Sequence, residues 1–396
     1  MKIDRVTAST IPDTRGRLTI ETTIQAGAFE ATASVPSGKS TGEHEATELD
    51  AAVAVENVQR EIAAAVGSRD FDSLDDLDDF LIKLDGTPNK SRLGANAILS
   101  VSIAAMRLSA LQDNVPLWKA VAKRAGTTPS APRLFVNVMN GGVHSGFSLD
   151  KFGTSKLPFQ EYMLVVEGKT SVALPIAKDA FEWLGKFLGP DTPMGDEGGY
   201  APTFDTLEKP FEILAELVRE FPNTSIAIDA AASQLYIDGK YNIFGKVYST
   251  YELAHVYANL VGGFPVSSIE DPFDENAPED FTRITTHVGE KVLIVGDDLT
   301  CTNPTRIKEA VVQKEINAVL IKPNQVGTVM ETIKAVQETQ FARFKAIASH
   351  RSGETDDTFI ADFAYGVGAY GLKAGGLGQS ERLEKYKRLL EIENEL

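Results

Sequence analysis

The chain has 396 residues, of which 43% are hydrophobic and 24% are charged, and its formal net charge is −17. This length and composition indicate a folded protein with two domains, or with one barrel and an appendage, and exclude a disordered chain. The acidic balance also argues against a nucleic-acid partner, because a surface that follows phosphates needs an excess of Lys and Arg.

Signals for export or membrane insertion are not evident in the sequence. Cys301 is the single cysteine, so no internal disulfide can form, which favours a reducing compartment. The first ten residues lack the apolar core of a signal peptide, and no run of about 18 apolar residues occurs. We therefore expect a cytoplasmic protein without a membrane partner.

The first third of the chain has the pattern of strands followed by helices. β-branched residues predict strands at residues 2–9, 18–26 and 29–35. Apolar residues at three- and four-residue spacing predict helices at residues 45–66, 73–84 and 95–111. Strands that precede helices indicate an α+β domain, which we place at residues 1–125, before a Pro-containing linker.

The second part, residues 133–396, repeats short apolar runs that each end in a charged or imidazole residue. These terminal residues are Asp229, Glu270, Asp297, Lys322 and His350. They lie 25 to 41 positions apart, which is enough for one strand, one helix and two loops. In an open sheet only the strand ends near the switch point converge, whereas in a closed barrel every carboxyl end faces one site. Five polar strand ends in succession therefore favour an α/β fold whose second domain is a βα barrel.

Three of these strand ends are carboxylates, namely Asp229, Glu270 and Asp297. Crowded anions are costly unless a cation neutralises them, and hard oxygen ligands without Cys or a His cluster favour Mg²⁺ over zinc. The pattern predicts a magnesium site, and a bound cation would allow an anionic substrate in an acidic protein. Any one of these carboxylates alone is equally consistent with a helix cap or a surface charge.

Lys322 follows the next apolar strand and is a candidate general base. A free lysine has a pKa of about 10.4, which is too high for this role near neutral pH. We expect burial, the metal and a second cation to lower the pKa, while the metal stabilises the enolate formed next to a carboxylate. A lysine that only pairs with Asp297 or Glu270 would have the same sequence pattern.

Two glycine-rich segments add candidate residues. Glu197 lies in a tight turn at residues 195–199 and is suited to act as a general acid if its pKa is raised. The segment 36–42 carries hydroxyl groups suited to a second metal or a phosphate. It is not a P-loop, because Ala33 stands where the first glycine is required. An acidic surface turn and a plain flexible turn are the alternative interpretations of these two segments.

The fifth apolar run is followed by His350, Arg351 and Ser352. Arg351 and Ser352 are suited to hold a phosphate, the arginine through its paired donors. His350 on its own is also consistent with a buried core histidine.

Taken together, these segments resemble the enolase family, the phosphopyruvate hydratases of glycolysis. The shared motifs lie at residues 13–16, 37–42, 93–99, 140–144, 160–161, 195–199, 268–272, 296–300, 324–327, 349–360 and 380–383. The resemblance implies an N-terminal α+β domain and an enolase-type βα barrel that opens with two antiparallel strands. It also implies reversible dehydration of 2-phosphoglycerate to phosphoenolpyruvate, two Mg²⁺ ions per active site, and a homodimer or higher homo-oligomer.

The resemblance assigns metal-binding and catalytic roles by position. Asp229, Glu270 and Asp297 match the ligands of the tighter Mg²⁺, and Ser40 matches a lid-loop ligand of the second ion. Lys322 matches the base that removes the C2 proton. Glu197 matches the acid that helps hydroxide leave C3, and Glu161 matches its supporting carboxylate.

Substrate contacts are implied in the same way. Arg351 and Ser352 match phosphate contacts, and Lys373 matches a contact to the substrate carboxylate that also raises the local positive potential. His144 matches a residue of a closing loop. The other positions expected at the substrate are Glu161, Glu270, Asp297, Lys322 and His350.

The chain departs from the family pattern at the rim of the site. Residues 147–157 make the closing loop longer than usual, and the segments before Met194 and after Gly199 are shorter. Lys373 is followed by Ala-Gly-Gly-Leu-Gly-Gln, where the family commonly has Thr-Gly-Ala-Pro and then an Arg. Two alternatives stay open: a related lyase for another phospho- or phosphono-carboxylic acid, and a non-catalytic binding protein with the enolase fold.

Overall fold

A computed structural model of the chain describes residues 2–39, 42–67, 69–145 and 157–395. The chain begins with an antiparallel sheet of three consecutive strands, β1 (Arg5–Pro12), β2 (Leu18–Ala26) and β3 (Phe29–Ser34). Period-two alternation buries Ile20 and Ile24 on one face of β2.

The helices that follow are α1 (Ala51–Asn57), α2 (Ala63–Gly67), α3 (Leu74–Asp85), α4 (Ala95–Gln112) and α5 (Leu117–Ala125), with a π-helical turn at Val58–Ile62. The helix predicted from residue 45 begins only at residue 51. The backbone amides of Ala46 and Thr47 instead donate to the distant carbonyls of Gln325 and Asn89, so this segment is not helical. Asp50 then caps α1 by accepting a hydrogen bond from Ala52.

Helix α4 is the core helix of this first part. Among the residues that the structure describes, it alone is long and apolar enough to cross a membrane, and 78% of that window is buried within the protein. It packs on β2 and β3. Its polar groups are paired, since Ser100 shares a 2.7 Å hydrogen bond with Thr22 and Ser102 accepts one from the amide of Val329.

The remainder of the chain forms a closed eight-stranded barrel. Its first strands are β4 (Arg133–Asn140), β5 (Glu161–Val166) and β6 (Thr224–Asp229). A separate small antiparallel sheet follows, made of β7 (Tyr236–Ile237), β8 (Lys240–Ile243) and β9 (Lys246–Tyr248). The other barrel strands are β10 (Val266–Glu270), β11 (Leu293–Gly296), β12 (Ala318–Ile321), β13 (Lys345–Ser349) and β14 (Gly371–Gly375).

Strand direction in the barrel has one irregularity. β5 runs antiparallel to both β4 and β6, whereas the other neighbouring strands run parallel, and β14 pairs with β4 to close the barrel. The expected α/β fold with an antiparallel opening of the barrel is therefore confirmed. The interior is filled by apolar side chains, including Phe135, Met163 and Leu320.

The barrel strands alternate with helices after β5. These helices are α6 (Thr170–Leu188), α7 (Lys209–Glu220), α8 (Thr250–Gly263), α9 (Pro278–Val288), α10 (Pro304–Gln313), α11 (Pro323–Val326), α12 (Val329–Phe341), α13 (Phe359–Gly366) and α14 (Ser380–Asn394). Local sequence explains several of their starts. Ser249 and Glu252 form a capping box on α8, and Asn303 caps α10 as its sequence predicts.

An ion pair joins α4 to the loop after β13. Arg107 donates to both carboxylate oxygens of Asp357, at 2.6 and 2.7 Å. The same carboxylate accepts the backbone amides of Ser34 and Phe359. The sheet, the core helix and the barrel loop that carries His350 are thus tied together through one side chain.

Candidate active site

The carboxyl ends of the barrel strands bring the predicted residues to one place. Asp229 ends β6 and is paired in register with Glu270, which ends β10. Asp229 is also paired with Glu161, the first residue of β5. Because β5 runs in the opposite direction, its beginning lies at the end of the barrel where the other strands finish. Three carboxylates are therefore neighbours across adjacent strands.

Lys373 of β14 is the cation at the centre of this group. Its Nζ lies 2.9 Å from both oxygens of Glu270, 3.1 Å from Glu161 and 3.2 Å from Asp229. Burial would lower the pKa of Lys373, but the carboxylates of Asp229, Glu161 and Glu270 hold it well above its ordinary value. The lysine is thus a fixed positive charge inside the barrel mouth.

Asp297 and Lys322 form a second pair beside it. The Lys322 Nζ lies 2.5 Å from a carboxylate oxygen of Asp297. Burial would lower the pKa of Lys322, but Asp297 outweighs it and raises the pKa above the ordinary value. The expected lowering of the Lys322 pKa is therefore not produced by the protein's own contacts, because the Asp297 carboxylate is in direct contact with the Lys322 ammonium.

Two amide side chains support these carboxylates, and neither was assigned a role in the sequence analysis. Gln160 donates to Asp229 at 3.1 Å, and Gln325 donates to Asp297 at 3.0 Å. Both residues fall inside the motifs shared with the enolase family, which was the only sequence signal for them. Each amide restricts the direction in which its carboxylate can point.

Glu197 lies in the glycine turn with two imidazoles and an amide around it. His144 Nδ1 is 3.3 Å from one of its oxygens and His350 Nε2 is 3.8 Å from the other, while Asn137 donates to it at 3.1 Å. Burial would raise the pKa of Glu197, but His144, His350 and Arg382 hold it well below its ordinary value. The raised pKa that was the condition for Glu197 as a general acid is therefore not produced by the protein's own contacts. Asn137 is a neighbour that the sequence did not indicate.

Glu161, the carboxyl group next to Glu197, has a raised pKa. Burial and the nearby carboxylate of Glu197 raise the pKa of Glu161 well above its ordinary value, against the effect of Lys373. One oxygen or nitrogen atom from each of His144, Glu161 and Glu197 lies within 4.8 Å of the others. Glu161 and Glu197 are therefore a close carboxyl pair in which the pKa of Glu161 is raised and that of Glu197 is lowered.

Arg351 is buried beneath the N-terminal part of the chain. Its guanidinium donates to both oxygens of Glu45, at 2.8 and 3.2 Å, and to Asn324. The paired donors predicted to hold a phosphate are thus directed at a carboxylate. Ser352 accepts a hydrogen bond from Arg15, so the two predicted phosphate contacts both lie under residues of the first 45 positions.

Some of the predicted site cannot be placed. Ser40 lies outside the described residues, and so do residues 147–156 of the lengthened closing loop. Lys39, next to Ser40, donates to the carbonyl of Val143 at 2.8 Å and forms an ion pair with Asp196. The described part of the segment at residues 37–45 is therefore in contact with the turn that carries Glu197.

The carboxylates at the barrel mouth fit a divalent cation. Asp229, Glu270 and Asp297 are all at least nine-tenths buried, and they offer hard oxygen donors. Burial and Asp229 raise the pKa of Glu270 well above its ordinary value despite Lys373, so the ammonium alone does not balance the negative charge. Asp297 also belongs to a second group of carboxylates, together with Asp271 and Asp298.

Comparison with known proteins decides the family. The family described as "Enolase, C-terminal TIM barrel domain" matches residues 129–396, and "Enolase, N-terminal domain" matches residues 3–121. The chain belongs to the enolase family. The chain is 40% identical to an enolase of Methanopyrus kandleri over 423 aligned residues. The alignment covers 100% of this chain and 96% of the Methanopyrus kandleri protein. An enolase of Nitratiruptor sp. is 39% identical over 418 residues, covering 100% of this chain and 97% of the relative.

Proposed function

We propose that this enolase-family chain catalyses the reversible dehydration of 2-phosphoglycerate to phosphoenolpyruvate, as a Mg²⁺-dependent hydro-lyase of glycolysis in the cytoplasm. The observation that carries the proposal is the convergence of two lysines, the buried Lys373 and the partly buried Lys322, with four carboxylates at one end of the barrel. Full-length relatives named enolase support the same substrate over a related phospho- or phosphono-carboxylic acid.

Substrate binding follows from the buried cations. Arg351 and Ser352 bind the phosphate, and Arg351 exchanges the carboxylate of Glu45 for it, since both anions use the same paired donors. Lys373 binds the substrate carboxylate. The carbon between these two groups, C2, then lies next to the ammonium of Lys322.

Lys322 acts as the general base. In its neutral form it takes the proton from C2, and the electron pair left behind passes into the substrate carboxylate to give an enolate dianion. Lys373 stabilises this added negative charge because its ammonium stays protonated among the carboxylates. Asp297 holds the Lys322 side chain in position through the 2.5 Å contact.

The Glu161–Glu197 pair supplies the acid. The enolate collapses to a C2–C3 double bond, the C3–O bond breaks, and the leaving hydroxide takes a proton from this pair to become water. His144 and His350 stabilise the carboxylate that remains, since both face Glu197. One proton is removed at C2 and one is added at the hydroxide, so the reaction is balanced as loss of water.

Two Mg²⁺ ions complete the site in this proposal. Asp229, Glu270 and Asp297 would hold the tighter ion, and Ser40 would contribute to the second. The ions would supply positive charge to the substrate carboxylate and to Asp297, which would weaken the effect that raises the pKa of Lys322. Lys373 contacts Asp229 and Glu270 in the protein itself, so it would add its positive charge to that of the tighter ion at these carboxylates.

The direct test is turnover of 2-phosphoglycerate by purified protein with Mg²⁺, followed by the absorbance of the enol product. We expect turnover that depends on the metal, and no comparable turnover of a phosphono analogue. Absence of turnover in folded, Mg²⁺-loaded protein would overturn the proposal and favour a non-catalytic binding protein. We also propose a homodimer or higher homo-oligomer, which light scattering of the same preparation measures.

A further inference from the structure

Arg382 of α14 is fully buried and uses every donor that it has. Its exposed fraction is 0%. Its Nε donates to Gln379, one terminal nitrogen donates to His350 Nδ1 and to the carbonyl of Arg351, and the other donates to the carbonyls of Asp196 and Ser352. Five N–H groups thus meet five acceptors, and all five acceptors are neutral groups. A buried guanidinium without a carboxylate partner is costly, so these contacts need an explanation beyond folding alone.

The contact with His350 fixes where the imidazole proton lies. Arginine has donors and no acceptor, and it stays charged throughout the working pH range. The Nδ1 atom of His350 must therefore accept, which leaves the ring proton on Nε2. That atom faces Glu197 at 3.8 Å. We propose that Arg382 is a positioning residue that holds His350 as the neutral Nε2–H tautomer and directs this N–H towards Glu197.

The groups around His350 keep the ring neutral. Burial lowers the pKa of His350 well below its ordinary value, and Arg382, Lys373 and Lys322 lower it further, against the carboxylate of Glu197. Protonation would place a second N–H against the guanidinium. His350 therefore points a neutral N–H towards Glu197, and Arg382 behind the ring adds to the positive charge by which His144 already favours the carboxylate.

The same guanidinium connects the two arms of the proposed site. It binds the carbonyl of Asp196, next to Glu197, and the carbonyls of Arg351 and Ser352, the proposed phosphate contacts. Loss of Arg382 would thus release three parts of the site together. These are the turn that carries Glu197, the imidazole of His350, and the segment with the proposed phosphate contacts. The role in catalysis rests on the proposed function, whereas the tautomer of His350 can be measured without substrate.

The first measurement uses the unaltered full-length protein. Nitrogen-15 in the histidine rings distinguishes protonated from unprotonated nitrogen by NMR, and the chain has five histidines. A His350→Gln variant identifies the His350 signals. We expect Nε2 to be protonated and Nδ1 unprotonated from pH 8 down to about pH 5, below the ordinary histidine pKa of about 6.5. A ring protonated at Nδ1, or one that titrates near 6.5, would overturn the proposal.

The second measurement changes the arginine. In Arg382→Gln we expect a mixture of His350 tautomers, a His350 pKa higher than in the unaltered protein, and kcat for 2-phosphoglycerate lowered at least about tenfold. Arg382→Lys keeps the charge and should restore part of the lowered His350 pKa but not the single tautomer. Arg388→Gln on the same helix is the control, since Arg388 binds Asp362 instead, and it should leave the His350 spectrum unchanged.

The outcomes separate the two proposals. If Arg382→Gln folds and keeps the tautomer and pKa of the original protein, the positioning role is wrong. If that variant fails to fold, the spectrum of the unaltered protein still decides whether Nδ1 is an acceptor. If the tautomer is as expected but 2-phosphoglycerate is not turned over, the proposed function fails and the arrangement around His350 stands.

Discussion

Replacement of Asp357 by Asn tests how strongly the first part of the chain is joined to the barrel. The substitution keeps the shape of the side chain but removes the charge opposite Arg107. The Asp357 side chain is 8% exposed and that of Arg107 is 20% exposed. Removing one partner of a buried pair costs about 3–5 kcal/mol, and partial access of water to Arg107 reduces this to about 2–4 kcal/mol.

The pH dependence of this loss follows from the pKa of Asp357. Burial alone would raise it, but Arg107 and the amides of Phe359 and Ser34 hold the pKa below its ordinary value. The unfolded chain has a pKa of about 3.9 at this position. Because the pKa of Asp357 is lower in the folded protein than in the unfolded chain, its carboxylate stabilises the fold. This contribution is complete when the pH is above the pKa of the unfolded chain, and it is lost as the pH falls through the pKa of the folded protein. The difference in free energy of unfolding between the unaltered protein and Asp357→Asn should therefore have its full size at pH 7 and become smaller below about pH 4.

Urea denaturation at about pH 7, 5 and 3, followed by circular dichroism and tryptophan fluorescence, measures this difference on both sides of the unfolded pKa. Coincident transitions with unchanged slope are required before the midpoints are converted to free energy. Glu167→Gln is the control, because the pair of Glu167 with Arg133 is exposed and should contribute less than about 1 kcal/mol. A loss below about 1 kcal/mol for Asp357→Asn at pH 7, or a loss at about pH 3 as large as the loss at pH 7, would refute the reasoning.

Three further predictions concern the proposed site. Lys322→Ala should abolish exchange of the C2 proton with solvent while Mg²⁺ binding, measured by calorimetry, changes by less than about tenfold; retained exchange would identify another base. Removal of Mg²⁺ by a chelator should abolish turnover and lower the thermal midpoint, with both restored by added Mg²⁺, and an unchanged midpoint would contradict a metal bound to the folded state. Gly376→Ala should cost about 1–3 kcal/mol and lower kcat, because its Cβ would press on the carbonyls of Gly198 and Asn137 beside the Glu197 turn. Gly262→Ala has open space and should be neutral or stabilising by up to about 1 kcal/mol, so equal effects of the two substitutions would be inconsistent with this account.

The residues at strand ends were the part of the site that local sequence could locate. Asp229 and Glu270 end their strands as predicted, and Lys322 follows its strand directly, because apolar runs of this length mark buried parallel strands. Glu161 was placed only through the family resemblance, since it begins an antiparallel strand and does not end a parallel one. Lys373 lies inside β14, where residue type and spacing give no signal.

The contacts across the barrel mouth were beyond local sequence. Whether Lys322 has a raised or lowered pKa depends on Asp297, which is 25 positions away, and the pKa of Glu197 depends on His144 and His350. Likewise, the start of α1 was misplaced because a carbonyl at residue 325 binds the amide at residue 46. Patterns within 20 residues predict elements, whereas charge balance is set by side chains that meet only after folding.

The direction of β5 has a consequence for how this barrel tolerates insertions. β4 ends at Asn140 and β5 begins at Glu161, and these two residues are paired with each other at the same rim. The connection between them therefore starts and finishes beside the catalytic groups, whereas a connection between two parallel strands must return along the outside of the barrel. Extra residues in this hairpin, such as those of the segment 147–157, can therefore be accommodated while the eight-strand frame and its register stay intact.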